Sequence, residues 1–262
     1  MNTLQPTRPV AVIALLVLLF LQIPVLVVVL ASFSETSYLT IPPQGVTLKW
    51  YQAVLSDQTY LRAIKNSLIL ACASTAISLV LGVAAAYALF RRLLPGSEAI
   101  TSLLISPLVV PSVVVGVAML QYFTLTGFRG SFMVLIVAHV VITVPYILRS
   151  VLASLSGLDL SVEEAARCLG ANGFTTFRLV TLPLIKPGLV AGALFAFVTS
   201  MENVPVTIFL ASAKQTTLPI VIFSSVEMGV NPSVAAISTL LIVVTALVLL
   251  VAERWTGFHK FA

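Results

Sequence analysis

Residues 163–188 interrupt an otherwise greasy chain with two acids, three bases, three glycines and two prolines. Glu163 and Glu164 sit beside small and apolar neighbours, an arrangement suited to pairing with basic groups on a partner surface. Outside this stretch, and apart from span ends, the ionisable side chains within apolar runs are His139 and Glu202. A charge at the centre of a bilayer costs at least about 2.5–3.5 kcal/mol on insertion scales. Glu202 is therefore the candidate for a group facing a water-filled path, where a carboxylate attracts an amine or ammonium and Asn203 adds hydrogen bonds. The competing reading makes Glu202 a partner-subunit contact, or a protonated and hydrogen-bonded group. His139 is read as hydrogen-bonded within the helix bundle. No catalytic set accompanies these residues: the spans hold no HExxH, no GxSxG and no paired carboxylates. Cys72 and Cys168 lack metal-ligand spacing and are read as packing residues.

Pro107, Pro111, Pro145 and Pro205 free backbone carbonyls inside apolar runs, and those groups need neighbours or a wet cavity. Pro107 and Pro111 are candidates for shaping a gate, with packing kinks as the alternative. Gln121 and Tyr122, near the end of the same run, are candidates for lining an outer vestibule.

The elements that must hold these residues are membrane helices. The chain has 262 residues, of which 59% are hydrophobic and 9% charged, against roughly 25% charged in soluble domains. A spanning helix needs about 20 apolar residues. Six runs qualify, at 10–33, 67–90, 101–124, 131–148, 189–211 and 234–251. The first outlasts the apolar core of a signal peptide and is kept as an uncleaved span. Loop chemistry separates the runs: Pro42-Pro43, Pro95-Gly96, Gly127 with Gly130, and Asn231-Pro232. No internal repeat and no inverted pair of broken helices is visible.

An even span number places both termini on one side. That side carries nine of the basic residues: Arg8, Arg91, Arg92, Arg149, Arg167, Arg178, Lys186, Arg254 and Lys260. Lys49, Arg62, Lys65, Arg129 and Lys214 make five on the other. The positive-inside rule then puts the termini and the 163–188 insert in the cytoplasm. The net charge of +5 is read as this loop asymmetry and not as a nucleic-acid footprint.

Within the insert, Ser161 and Glu164 fit a capping box, both acids fall in the first helical turn, and Gly170 stands where a glycine ends a helix. Val162, Ala165, Ala166 and Leu169 then form one stripe. A helix of about two turns is marginal alone in water, so it must lean on something. A second helical segment is expected from Phe174 to about Leu182.

Glu164-Ala165-Ala166, three residues, Gly170, nine residues, Val180, one residue, Leu182-Pro183 resembles the EAA signature of ABC importer permeases. The one departure is Val180, where the signature has Ile. Asn66-Ser67-Leu68 looks like the start of that family's shared core, and Pro107 and Pro111 followed by Gly116, like Val144-Pro145-Tyr146, are similar to polyamine-type permeases. The segment 202–210, Thr216-Thr217-Leu218-Pro219 and Asn231-Pro232 look most like the spermidine/putrescine-type subgroup, which more often has Asp where Glu202 stands.

The resemblance implies an all-α membrane protein of the type I importer permease fold, with six transmembrane helices and a cytoplasmic coupling helix between spans 4 and 5. The whole chain, 1–262, is expected to be one permease domain: a first span and outer loop over 1–60, then a core over 61–255 holding the EAA loop 159–188. The resemblance further implies that Glu164, Ala165, Ala166 and Gly170, with Glu163 and Leu169 beside them, dock into a cytosolic ATPase, while Val180, Leu182 and Pro183 set loop geometry. Two ATPases would carry ATP and Mg, because this chain has no G-x-x-x-x-G-K-[ST] phosphate loop and no cofactor is expected on it. Other implied partners are a second permease, expected to be a homologous heterodimer partner, an extracytoplasmic binding protein touching loops 34–62 and 212–233, and membrane lipid. No nucleic-acid partner is expected. The resemblance also implies a bacterial inner-membrane setting and a small polar, cationic (polyamine-like) cargo. A stand-alone secondary transporter is the alternative, as is an importer of another solute such as an amino-acid derivative, an opine or iron.

Overall fold

The computed structural model describes residues 8–38, 42–128, 130–229 and 232–256. Arg129 and Lys260 of the charge sorting, Asn231 of the last loop and residues 39–41 of the first loop lie outside them. Every regular element among the described residues is helical. The chain forms two compact units, Met1–Leu61 with Ile222–Val244, and Arg62–Val221 with Thr245–Ala262.

In the first unit, α1 (Arg8–Ala31) is mostly apolar and has no buried residue from Pro9 to Leu30. A helix apolar all round belongs against lipid or other helices. The chain then folds back through Thr47 N–H to Phe33 C=O (2.8 Å) onto α2 (Lys49–Ser56). Trp50 Nε1 donates to Ser34 C=O (2.8 Å), Lys49 Nζ donates to Glu35 C=O (2.7 Å), and Ser32 Oγ meets the Tyr51 hydroxyl at 2.6 Å. Part of the expected outer loop is thus a helix pinned by hydrogen bonds.

The second unit holds most of α3 (Gln58–Phe90). At 33 residues this helix is about 50 Å long, against a hydrocarbon thickness of about 30 Å, so it overruns the expected 67–90. The third expected span is not one helix. α4 (Ser97–Ile105) and its 3₁₀ continuation Ser106–Leu108 meet α5 (Ser112–Leu125) at 100°. Pro111 lacks an N–H and disfavours a helical residue before it; it caps α5 at φ −53°, ψ 128°, outside the helical region.

α6 (Phe132–Ser156) is the spine of this unit, carrying Leu135, Ala138 and Ile142 into one apolar cluster and Ile147, Leu148, Val151 and Leu155 into another. After α7 (Leu160–Cys168) come α8 (Gly173–Thr176), a π-helical turn Phe177–Thr181 and α9 (Leu182–Leu184). The run Gly173–Leu184 then bends 70° into α10 (Lys186–Glu202). Gly188, Gly192, Ala196 and Ser200 recur every fourth residue on α10 and are all buried. A β-carbon on Gly192 would lie 2.9 Å from Ile147 Cα, and one on Gly188 2.6 Å from Ser150 C=O. Small residues at this spacing let membrane helices approach backbone to backbone.

Beyond α10 lie α11 (Thr207–Leu210), α12 (Leu218–Met228) and α13 (Pro232–Thr256). α12 is a helix where the sequence suggests loop; Pro219 suits a first turn because its missing N–H would be unpaired there anyway. Among the described residues three helices, α1, α3 and α6, are long and apolar enough to cross a bilayer, and counting each bent pair as one span gives five. Of the six expected runs, the third is broken by the 100° bend and the fifth by the end of α10 at Glu202, while the sixth lies within α13 (Pro232–Thr256).

Candidate functional site

α7 is a nine-residue helix, as short as the stripe implies, but its cap differs from expectation. Asp159, not Ser161, is the N-cap, its carboxylate accepting from Ser161 N–H at 3.0 Å. Both residue types cap well; an anion two residues earlier also meets the positive end of the helix, and it prevails. The hydrogen bonds from Ser161, backbone first and then side chain, hold the exposed Asp159 carboxyl below its usual range. Glu164 then falls beyond N3, so the expected capping box does not form.

The other end matches expectation. Gly170 takes φ +91°, its N–H reaches Arg167 C=O at 2.9 Å, and Ala171 N–H reaches Ala166 C=O at 3.1 Å. This closed pair of bonds satisfies the last carbonyls and needs the left-handed backbone that glycine supplies.

Successive helix residues point 100° apart, enough to turn one of the two adjacent acids inward and leave the other exposed. Glu164 is exposed, with Val162, Ala165 and a 90% exposed Leu169; Ala166 is half-buried. Glu163, grouped by sequence with the docking face, turns inward and is 2% exposed. Its Oε1 accepts from Thr181 Oγ1 at 2.6 Å and its Oε2 pairs with Arg91. The Arg91 guanidinium also lies 5.5 Å from the Tyr87 ring centroid, and Tyr87 meets Phe177 edge-on at 5.0 Å.

Val180 and Leu182 are half-buried, with Leu182 packed on the Ile147–Leu155 cluster, and Pro183 is exposed. Pro183 has no N–H for Leu179 C=O, and its ring would crowd that carbonyl in a regular helix. The π turn Phe177–Thr181 widens the ladder just before it. The bend into α10 pivots at Ile185, which is fully buried between Pro183 and Pro187.

At the far end of α10, Glu202 is its last residue and is exposed. The half-buried Asn203 accepts from Val206 N–H through Oδ1 (2.9 Å), and its C=O accepts from Thr207 Oγ1 (2.6 Å), which fixes the break between α10 and α11. Gly116 of α5 permits this: a β-carbon there would lie 2.8 Å from both Pro205 C=O and Phe209 Cδ2. Pro107 and Pro111 flank the 100° bend. The α5 chain thus meets the segment after Glu202 at Gly116. Gln121 and Tyr122 are exposed farther along α5, Tyr122 lining an apolar groove of about 410 Å³ with Val114, Val137 and Val141.

His139 is fully buried and hydrogen-bonded within the bundle, Nδ1 to Ser200 Oγ at 2.7 Å and Nε2 to Thr207 Oγ1 at 2.9 Å. Ser200 Oγ also meets Ser74 Oγ at 3.0 Å. A buried polar row therefore joins α3, α6, α10 and α11. At the start of α3, Asn66 Nδ2 donates to Thr216 C=O (3.0 Å), and Ser67 Oγ accepts from Leu218 N–H (2.8 Å). Two motifs 150 residues apart in sequence are thereby one structural unit. Arg91, Thr181 and the α10 small-residue row are absent from the sequence-based site; the row had a visible four-residue period, whereas the Glu163 partners had no local signal.

Residues 78–258 match the family model described as "Binding-protein-dependent transport system inner membrane component". The chain is 32% identical over 241 residues to the spermidine/putrescine transport system permease protein PotC of Escherichia coli K12, covering 92% of this chain and 90% of that one. It is 36% identical over 240 residues to the putrescine transport system permease protein PotI of the same strain, covering 88% and 84%. Its fold is similar to that in the crystal structure of a bacterial ABC transporter involved in the import of the acidic polysaccharide alginate. That match has a TM-score of 0.74 at 17% identity and covers 97% of this chain and 99% of the other.

Proposed function

The chain belongs to the family of binding-protein-dependent transport system inner membrane components, and from that premise we propose that it is the permease subunit of an ATP-driven importer of a small cationic, polyamine-like solute. The observation that carries the reading is α7: Glu164, Val162, Ala165 and Leu169 face outward while Glu163 anchors the helix from behind. An apolar stripe with one acid beside it, on a helix too short to persist alone, fits a cleft with a basic rim.

In this reading α7 and both termini lie in the cytoplasm, and the chain crosses the inner membrane six times, two of the spans being bent. A separate ATPase grips α7 and holds the ATP and Mg; two such subunits serve a pair of permeases. The second permease is a homologous, non-identical chain, and the translocation path runs between the two. An extracytoplasmic binding protein delivers the solute to the segments 34–62 and 212–233. Glu202 and Asn203, at the α10 break, offer a carboxylate and an amide to an ammonium group, and the hinge at Pro107 and Pro111 lies beside the path. The permease names of PotC and PotI and the exposed Glu202 support a cationic cargo.

Coexpression with the candidate ATPase, followed by purification through a tag on this chain, tests the assignment. An ATPase retained by the wild-type chain and lost with Glu164→Lys supports it; a chain that imports substrate with no ATPase in the preparation overturns it.

A further inference from the structure

α7 is attached to its own bundle in an unusual way. Glu163 is the one fully buried side chain of this helix among the described residues, while Leu160, Val162, Ala165 and Leu169 are exposed and Ala166 is half-buried. A short helix is ordinarily held by apolar burial. A buried ion pair is a poor substitute for that as a source of stability, because desolvation of both charges offsets their attraction. What an ion pair supplies is a fixed direction.

The two carboxylate oxygens are divided between two elements. Oε2 pairs with Arg91, the residue directly after α3, and Oε1 accepts from Thr181, in the π turn that leads into α10. Arg91 itself is tightly held. Arg92 takes φ +51°, a left-handed backbone that a residue with a β-carbon rarely adopts. Arg92 N–H reaches Leu89 C=O and Leu93 N–H reaches Ala88 C=O, both at 3.0 Å, so the α3 terminus is closed. The guanidinium rests near the Tyr87 and Phe90 rings, and Tyr87 braces Phe177 of the π turn.

We infer that the Arg91–Glu163–Thr181 cluster is a force-transmitting joint, a set of positioning residues through which displacement of α7 moves α3 and α10 together. The inference rests on the proposed ATPase docking and adds the internal linkage that docking alone does not supply. A joint of this kind differs from a merely structural anchor in what its loss does. Loosened, it leaves the motor able to bind and turn over while the spans no longer follow.

The test uses the full complex with its ATPase and binding protein in proteoliposomes, measuring ATP hydrolysis and uptake on the same preparation. Glu163→Gln keeps the Thr181 hydrogen bond and removes the charge. Thr181→Val keeps volume and removes the hydrogen bond. In both, the complex assembles, hydrolysis stays near wild type, and ATP consumed per solute imported rises, by roughly tenfold for Glu163→Gln. The exchange Arg91→Glu with Glu163→Arg recovers part of the coupling. The joint is overturned if hydrolysis and uptake fall together with the amount of assembled complex, or if both variants keep the wild-type ratio. Failure of the wild-type chain to retain any ATPase is a separate outcome that removes the docking premise itself.

Discussion

Glu163 and Glu164 are adjacent in the chain, and α7 turns the first onto Arg91 and Thr181 and the second to the outside. One acid is thereby committed to this chain and the other is free for a partner. Their substitutions should fail differently, and each feature of the site gives its own measurable consequence.

On the outward face, Glu164→Lys reverses the charge beside the apolar stripe. Gly170→Asp forces a side chain into φ +91°, at about 1–2 kcal/mol. Both variants should reach the membrane at near wild-type levels and lose transport, by at least roughly tenfold. Membrane fractionation with radiolabelled uptake measures both quantities; wild-type uptake by both variants would contradict docking through α7.

At the α10 break, Glu202→Gln removes a negative charge while keeping shape. Uptake of a cationic solute should weaken by roughly tenfold, while ATP hydrolysis stays unchanged. Unaltered uptake takes Glu202 out of the path.

Close packing of α10 on α6 makes Gly192 sensitive. A β-carbon there meets Ile147 Cα at 2.9 Å, a backbone atom with little room to yield, so Gly192→Val should cost about 1–3 kcal/mol. A lowered melting temperature in detergent is the expected result. Gly96→Ala, at an exposed turn with open space around it, also strains a left-handed backbone and should cost about 1–2 kcal/mol, chiefly as local loosening.

The buried row through His139 gives a further test. His139→Ala leaves the Ser200 and Thr207 hydroxyls without their imidazole partner, each at about 1–3 kcal/mol. Thermal unfolding in detergent should shift downward, and His139→Gln should recover part of the loss by keeping polar atoms in place.

Much of α7 was legible because its signals are local. The four-residue stripe and Gly170 fix a short helix and its end within ten residues of sequence. The start was harder: Asp159 and Ser161 are both good caps two positions apart, and only the fold shows which carboxylate or hydroxyl reaches an N–H. Pro107 and Pro111 marked a disturbance, but neither its 100° size nor the close approach of Gly116 to Pro205 and Phe209 has a local signal. The polar partners of His139 and Glu163 lie 18 to 72 residues away, and no periodicity reports such pairs. The spacing of Gly188, Gly192, Ala196 and Ser200 was present in the sequence as a signal of helix contact.

The most direct measurement concerns Leu169, 90% exposed on the chain alone. With Cys72 and Cys168 replaced by alanine, Leu169→Cys can be labelled by a polar maleimide in inside-out vesicles, with and without the partner ATPase. Rapid labelling without the ATPase and protection by at least roughly tenfold with it is the predicted result. Equal labelling in both preparations, with the ATPase shown to be bound, would contradict an α7 seated in that subunit.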